Sequence, residues 1–217
     1  MVIAIENHQI AFVPVPKAAC TSIKSTLAQM DTSLPGAVRF KVRRDAELVH
    51  KYYQTGRFRK KKLQGKDDWY RFAVVRDPVQ RLLSVYTDRV MARNEFANSA
   101  NIRRGRVNLP SDPDPDFFFR HLDHYREHVS VVRHHARDQS FFTGSDISLY
   151  DRIYTTSEIG QLAADLSEII GEEVEISRLN ASKGGLTLRD LAPDARDVVK
   201  RAAAPDYATF ASVLKAA

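Results

Sequence analysis

The chain contains a single cysteine, Cys20, among 217 residues. One thiol excludes an internal disulfide and a cysteine-based zinc site, and it fits a reducing compartment. Long hydrophobic runs are missing too. No stretch approaches the ~18 apolar residues needed to span a bilayer. The N-terminus, MVIAIENHQIAFVPV, lacks a basic region followed by an unbroken apolar one, because Glu6, Asn7, His8 and Gln9 interrupt it. That pattern does not make a signal peptide, so the expectation is a soluble, cytoplasmic protein. No internal repeat is visible.

Hydrophobic residues make up 43% of the chain, enough for a sizeable core. The length points to one domain over residues 1–217. The net charge of +6 fits an anionic partner: nucleotide, nucleic acid, acidic glycan or membrane surface. Charge alone does not choose among them.

Short strands are expected at Ile3–Ile5 and Ile10–Val15, with a hairpin turn around Asn7-His8. A helix over Thr21–Met30 follows from the spacing of Ile23 and Leu27. Leu34-Pro35-Gly36 ends it. Val38–Val42 reads as a strand. Asp45–Tyr53 reads as a helix with Leu48, Val49 and Tyr52 on its apolar side. Arg71–Val75 is a buried strand, and Pro78 begins the next helix. Residues 98–116 read as a long surface loop, and residues 116–128 as one helix. Tyr150–Tyr154 reads as a strand. Thr156 or Ser157 would cap a helix over Glu158–Ile170 that Gly171 ends. Val174–Ile176 reads as extended, and two closing helices cover Leu188–Ala203 and Ala208–Leu214. Strands alternating with helices give an α/β fold with a central, mainly parallel sheet flanked by helices.

Two segments carry chemistry. The first is FVPVPKAACTSIKSTL at Phe12–Leu27. A strand that turns directly into a helix leaves unpaired N–H groups at the helix start, and these bind anions together with the helix dipole. Ala18, Ala19 and Cys20 are small enough to let the backbone approach a ligand. Lys17 adds a positive charge, and Thr21 and Ser22 add hydroxyls. This is the logic of a phosphate-binding loop, but the Walker A glycines are missing and the lysine precedes the turn.

The second segment is WYRFAVVRDPVQRLLSVYTDR at Trp69–Arg89. Arg76 closes an apolar strand, where a guanidinium forms forked, charge-assisted bonds to phosphate. Ser84 lies about two helical turns further on and adds a hydroxyl. Either segment alone is equally compatible with ordinary strand–turn–helix architecture.

Together they resemble the sulfotransferases that use 3′-phosphoadenosine 5′-phosphosulfate (PAPS), in particular the carbohydrate branch that includes the chondroitin and dermatan enzymes. Pro16-Lys17-Ala18-Ala19-Cys20-Thr21-Ser22 matches the family's 5′-phosphosulfate loop. Phe72 through Arg76-Asp77-Pro78, then Arg81-Leu82, Ser84 and Tyr86, is similar to its 3′-phosphate element. More weakly, Glu127-His128, Tyr150-Asp151 and Asn180-Ala181-Ser182-Lys183-Gly184 resemble later family features. The chain departs from the Golgi enzymes in lacking their membrane anchor and paired cysteines, which leaves acceptor and compartment open.

The resemblance implies a P-loop-like three-layer fold and sulfuryl transfer from PAPS to a hydroxyl acceptor, with a saccharide as the expected partner and no metal required. Lys17 and the backbone from Ala18 to Ser22 would hold the 5′ end. Arg76 and Ser84 would hold the 3′-phosphate, and Lys183 would close over the donor. A hydroxyl acceptor also needs a general base. Related enzymes place a His or Glu after the first helix, and the candidates here are His50 and Glu47. His50 is favoured because an unperturbed imidazole titrates near neutrality.

Other signals compete. The basic run GRFRKKKLQGK at Gly56–Lys66 reads either as a solvated loop or as a rim that attracts an acidic acceptor. Arg81 faces either the nucleotide or a carboxylate such as Asp77. His121, His124 and His128 share a helical face, but acidic partners for a zinc ion are not clearly placed. A nucleotide kinase or NTPase would need a magnesium-holding acid after a strand, and Asp77 is the one neat candidate. A nucleic-acid-binding module is supported by the basic run and the spread of Arg, but aromatic residues are not interleaved with that run in a stacking pattern.

Overall fold

The structure is a computed structural model and describes residues 1–179 and 185–214. In chain order its regular elements are β1 (Ile3–Ile5), β2 (Ile10–Val13), α1 (Cys20–Met30), α2 (Gly36–Arg44), α3 (Val49–Tyr52), β3 (Tyr70–Val75), α4 (Pro78–Val85) and α5 (Ala100–Arg103). There follow α6 (Pro115–Arg120), α7 (Leu122–His128), α8 (Ser130–His135), α9 (Ser140–Thr143), β4 (Arg152–Thr155), α10 (Ile159–Ile170), α11 (Pro193–Thr209) and α12 (Ala211–Leu214). Among the described residues, no helix is long and apolar enough to cross a membrane. Packing groups the chain into two compact units. One joins Met1–Arg76, Gln139–Ala181 and Thr209–Ala217, and the other joins Asp77–Asp138 and Ser182–Ala208.

The first unit holds the sheet, in the order β1-β2-β3-β4. β1 pairs antiparallel with β2, as the predicted hairpin requires, and a 3-10 turn at Glu6–His8 joins them. β2–β3 and β3–β4 are parallel. This is the α/β, mainly parallel architecture expected from the alternation of elements. β2 is buried at all four positions, because a parallel strand is covered on both faces and so reads as a continuous apolar run. On one face Phe12, Phe72, Val74 and Tyr154 pack with Ile23 and Leu27 of α1, Val49 of α3, and Leu162 and Leu166 of α10. On the other, Val13 and Ala73 pack with Tyr150, Phe58 and Ile153.

Three local readings change. The segment Val38–Val42 lies inside helix α2 and is not a strand. The alternation of Val38, Phe40 and Val42 suggested a strand, yet Phe40 is 59% exposed while Val42 is fully buried. The i, i+4 pair Val38 and Val42 supplies the buried stripe, and the Arg and Lys residues between are good helix formers. The segment Asp45–Tyr53 is a 3-10 turn at Ala46–Leu48 followed by the single turn of α3, with Asp45 Oδ1 capping Glu47 N at 3.1 Å. Tyr52 points outward, and Tyr53 is the buried tyrosine. Val174–Ile176 forms no strand. Val174 N instead bonds Ser167 Oγ at 2.9 Å.

The helix over Glu158–Ile170 is α10, ended by Gly171 in the left-handed region as expected. Its start is organised by Glu158, and not by Thr156 or Ser157. The Glu158 carboxylate accepts from Thr155 N at 2.7 Å and from Thr155 Oγ1 at 2.9 Å. The basic run is anchored at its start, where the Met1 amino group donates to Gly56 O at 3.1 Å and to Arg57 O at 2.9 Å. Phe58 N donates to Phe141 O at 2.9 Å, and the Phe58 ring lies where a side chain on Gly144 would stand.

In the second unit α4 begins at Pro78, with Asp77 Oδ1 accepting from Gln80 N at 2.8 Å, and runs on into a π-helical stretch at Tyr86–Ala92. Leu82, Tyr86, Phe118, Phe119, Tyr125 and Val199 belong to its core. The segment read as a loop over 98–116 contains α5 and is tied down by tyrosines. Tyr86 OH donates to Pro113 O and Tyr125 OH to Pro110 O, each at 2.9 Å. The helix expected over 116–128 is two helices that break at His121. The His121 ring stacks on Phe117 with centroids 4.1 Å apart, and its Nδ1 lies 2.9 Å from Phe117 O.

Candidate active site

Every polar group of the candidate centre in the first unit lies near the carboxyl ends of β2 and β3. Because the two strands are parallel neighbours, with Val13 opposite Ala73, the residues that follow them emerge at one edge of the sheet. Ligands of open α/β sheets bind at that edge.

After β2 the chain turns through Pro14–Ala19 into α1. Lys17 and Ala19 both adopt left-handed backbone conformations, with φ of 67° and 56°. A residue with a Cβ pays roughly 1–2 kcal/mol there, and a phosphate-binding loop ordinarily uses glycine in such places. The turn is tied by Ala18 N to Val15 O at 3.4 Å, with Val15 and Ala18 packed against Phe142. No side chain caps α1, and its first turn holds no acid. The helix thus offers its N-terminal amides and its dipole to an anion. Ala18, Ala19, Cys20, Thr21 and Ser22 stand where the sequence reading put them, around that helix start.

Arg76, directly after β3, reaches the same turn. Its Nη1 donates to Lys17 O at 3.4 Å. The Arg76 backbone is clamped by the buried side chain of Gln139. Arg76 N donates to Gln139 Oε1 and Gln139 Nε2 donates to Arg76 O, both at 2.9 Å. Gln139 follows no pattern a sequence could show, since its role arises only from this pairing across 63 positions.

His50 comes from α3. Its Nε2 lies 3.0 Å from Thr21 Oγ1 and its Nδ1 3.3 Å from Lys24 Nζ. Lys24 is fully buried and donates to Thr55 Oγ1 at 2.6 Å. Burial lowers the Lys24 pKa from the ordinary lysine value, although the Cys20 thiol works the other way. Burial also raises the Cys20 pKa, against the opposing effects of Lys24 and of a hydrogen bond with Thr55. The sequence reading missed Lys24, although a signal was present. Cys20, Ile23, Lys24, Leu27 and Ala28 form the buried stripe of α1, and a lysine on an apolar stripe asks for an explanation. Glu47, the other candidate base, is exposed on the 3-10 turn before α3 and acts electrostatically on Cys20.

Ser22 is 5% exposed, and its Oγ accepts from Leu179 N at 3.1 Å. That bond holds the chain just ahead of residues 180–184. Lys183 lies outside the described residues. In the second unit Ser84 sits on α4 with its hydroxyl donating to Arg81 O at 2.7 Å. Arg81 is 1% exposed, and its carboxylate partner is Asp206 at 3.5 Å, not Asp77. The Asp77 carboxylate is already engaged by Gln80 N and by Tyr207 OH, the latter at 2.6 Å. Arg81 also donates to the carbonyls of His135 and Arg137, so it braces the second unit from within. Among the described residues no group of three or more His, Cys, Asp or Glu is placed to hold a metal ion.

No curated protein and no solved structure matches the chain. The model of the sulfotransferase family matches residues 1–191, and with a turn of that kind beside an arginine and an imidazole, the chain belongs to the sulfotransferase family.

Proposed function

We propose that the protein transfers the sulfuryl group of PAPS to a hydroxyl of an anionic saccharide. The observation that carries this reading is the meeting of Arg76 with the Lys17 turn, 3.4 Å from guanidinium to carbonyl, at the uncapped start of α1. Two cationic side chains and a helix N-terminus suit a ligand with an anionic group at each end. PAPS supplies a sulfuryl group already activated on a phosphate.

Within that reading Lys17 and the amides from Ala18 to Ser22 hold the 5′ end and balance charge on the leaving phosphate oxygen. Arg76 holds the 3′-phosphate, and the family resemblance adds Ser84 and Lys183 to the donor's ligands. His50 takes the acceptor proton at Nε2, the nitrogen that faces Thr21. A new S–O bond forms to the acceptor oxygen while the S–O bond to the phosphate breaks, its electron pair staying on the phosphate oxygen. As in phosphoryl transfer, the protein works mainly by positioning and charge stabilisation.

Charge supports an anionic acceptor. Residues 36–66, which flank and include His50, carry eleven Lys and Arg against two acidic residues, whereas the rest of the chain holds 22 against 25. Arg57, Arg59, Lys60, Lys61 and Lys62 are all exposed. A concentrated positive stretch raises the local concentration of a polyanion and falls in strength with salt.

Calorimetric titration with adenosine 3′,5′-bisphosphate and with AMP tests the donor assignment. The bisphosphate should bind at least ~30-fold more tightly, since charge-assisted bonds to one phosphate contribute roughly 2–3 kcal/mol. Arg76→Ala should erase most of the difference. Equal affinity of the wild-type protein for both ligands would sink the assignment of the 3′-phosphate.

A further inference from the structure

Among the described residues Lys24 is the one lysine with no exposed surface, and the activity proposed above gives it no task. Its Nζ reaches two groups, His50 Nδ1 at 3.3 Å and Thr55 Oγ1 at 2.6 Å. Neither is an anion, and among the described residues no carboxylate forms an ion pair with it. A buried ammonium in such company is costly, and the usual outcome is loss of its proton.

Burial is the dominant influence on Lys24, and a positive charge on it would repel the nearby N-terminal amine, whose pKa burial together with Arg59, Lys62 and Lys24 pushes down to about 6. From the turn before α1, Lys17 adds another positive charge near Cys20, and Glu47 opposes it from the 3-10 turn. Cys20, on the same face of α1, would favour a charged Lys24 if it ionised, and burial keeps its thiol protonated.

The tautomer of His50 depends on this lysine. An ammonium can only donate, so it would claim the Nδ1 lone pair and put the ring proton on Nε2, where a base needs a lone pair. A neutral amine can accept at the same atom while still donating to Thr55.

We propose that Lys24 is a positioning residue for the general base: its Nζ accepts a hydrogen bond from His50 Nδ1–H and so leaves the Nε2 lone pair facing Thr21 and the incoming acceptor hydroxyl. The Thr21 hydroxyl then donates to Nε2 in the resting protein, holding the place the acceptor O–H takes in turnover. When the acceptor oxygen bonds to sulfur, its proton moves to Nε2, and the resulting imidazolium keeps its Nδ1–H bond to Lys24. An amine here does the orienting work that a carboxylate does in most His-centred sites. Its use of a neutral partner keeps a negative charge away from an anionic donor.

The inference rests on His50 as base, and the two are separable. Nitrogen-15 NMR of the His50 ring in the full-length protein at pH 7.5 should show Nδ1 protonated and Nε2 bare. In Lys24→Met, which replaces a buried amine with an apolar chain of similar length, the ring should populate both tautomers. In Lys24→Arg a permanent cation faces Nδ1. The ring proton should move to Nε2, and the imidazole titration midpoint should fall by about one pH unit, a tenfold loss of proton affinity. Wild-type protein with Nε2 protonated, or a Lys24→Arg ring unchanged in tautomer and midpoint, would overturn the role of Lys24. A His50→Ala variant that turns over normally would overturn the base itself, whatever the tautomer.

Discussion

Thr21 on α1 and His50 on α3 meet side chain to side chain, with Oγ1 and Nε2 3.0 Å apart across 29 positions of sequence. The contact places an imidazole nitrogen beside the loop that the family resemblance gives to the 5′-phosphosulfate. Glu47, three positions earlier in the chain, lies exposed on a different turn.

His50→Ala should therefore lower kcat by ~10²–10⁴, the usual contribution of a positioned base, while the affinity for adenosine 3′,5′-bisphosphate stays within a few-fold of wild type. Glu47→Gln should keep turnover near the wild-type value. Steady-state rates with PAPS and a panel of hydroxyl acceptors that includes chondroitin, paired with calorimetry, separate the two effects. The reverse pattern would move the base to Glu47.

Gly144 is held at φ 77°, and a Cβ there would stand 2.7 Å from the Phe58 ring. Gly144→Ala therefore has two faults, a strained backbone and an overlap with an aromatic ring. Together they should cost about 2–4 kcal/mol in urea denaturation. The Phe58 anchor should loosen with it, so amide exchange over the basic segment at Gly56–Lys66 should quicken. A variant as stable as the parent would show that Phe58 can move aside at no cost.

Acid should weaken the first unit through its carboxylates. Asp165 is raised by burial but lowered further by hydrogen bonds from Tyr154 and Gln161 and by Arg152, so its net pKa falls below the ordinary value. Asp151 behaves likewise, with burial outweighed by its bonds from Arg71. The folded pKa values lie below the unfolded ones, so the unfolded chain binds more protons as the pH drops. This stabilisation is fully present above the unfolded carboxylate pKa of ~4 and is lost as the pH falls through the folded values. Urea midpoints at pH 7, 4 and 2.5 should fall in that order. Asp165→Asn should flatten the acid limb, and an unchanged slope in that variant would remove Asp165 from the account.

Much of this site was legible without coordinates, because its parts are local. The apolar runs Ile10–Val13 and Tyr70–Val75, the turn residues after each, and the i, i+4 apolar spacing of Ile23 and Leu27 are short-range facts. They determine two strand–turn–helix segments, and the motif they carry is enough to point to sulfuryl transfer. Alternation misled at Val38–Val42, where period two and period four coincide over five residues and only burial tells them apart.

Tertiary structure decided the partners. β2 and β3 could have lain apart in the sheet, and their adjacency is what brings Arg76 to the Lys17 carbonyl. Asp77 was the obvious mate for Arg81 by proximity in sequence, yet Tyr207 takes Asp77 and Asp206 takes Arg81. The lysine on the buried face of α1 was visible as an anomaly, and it acquired a meaning only when α3 laid His50 against it. Periodicity and turn chemistry act over a few residues and can be read along the chain. The partner of a buried charge is set by whichever distant element the core brings to it.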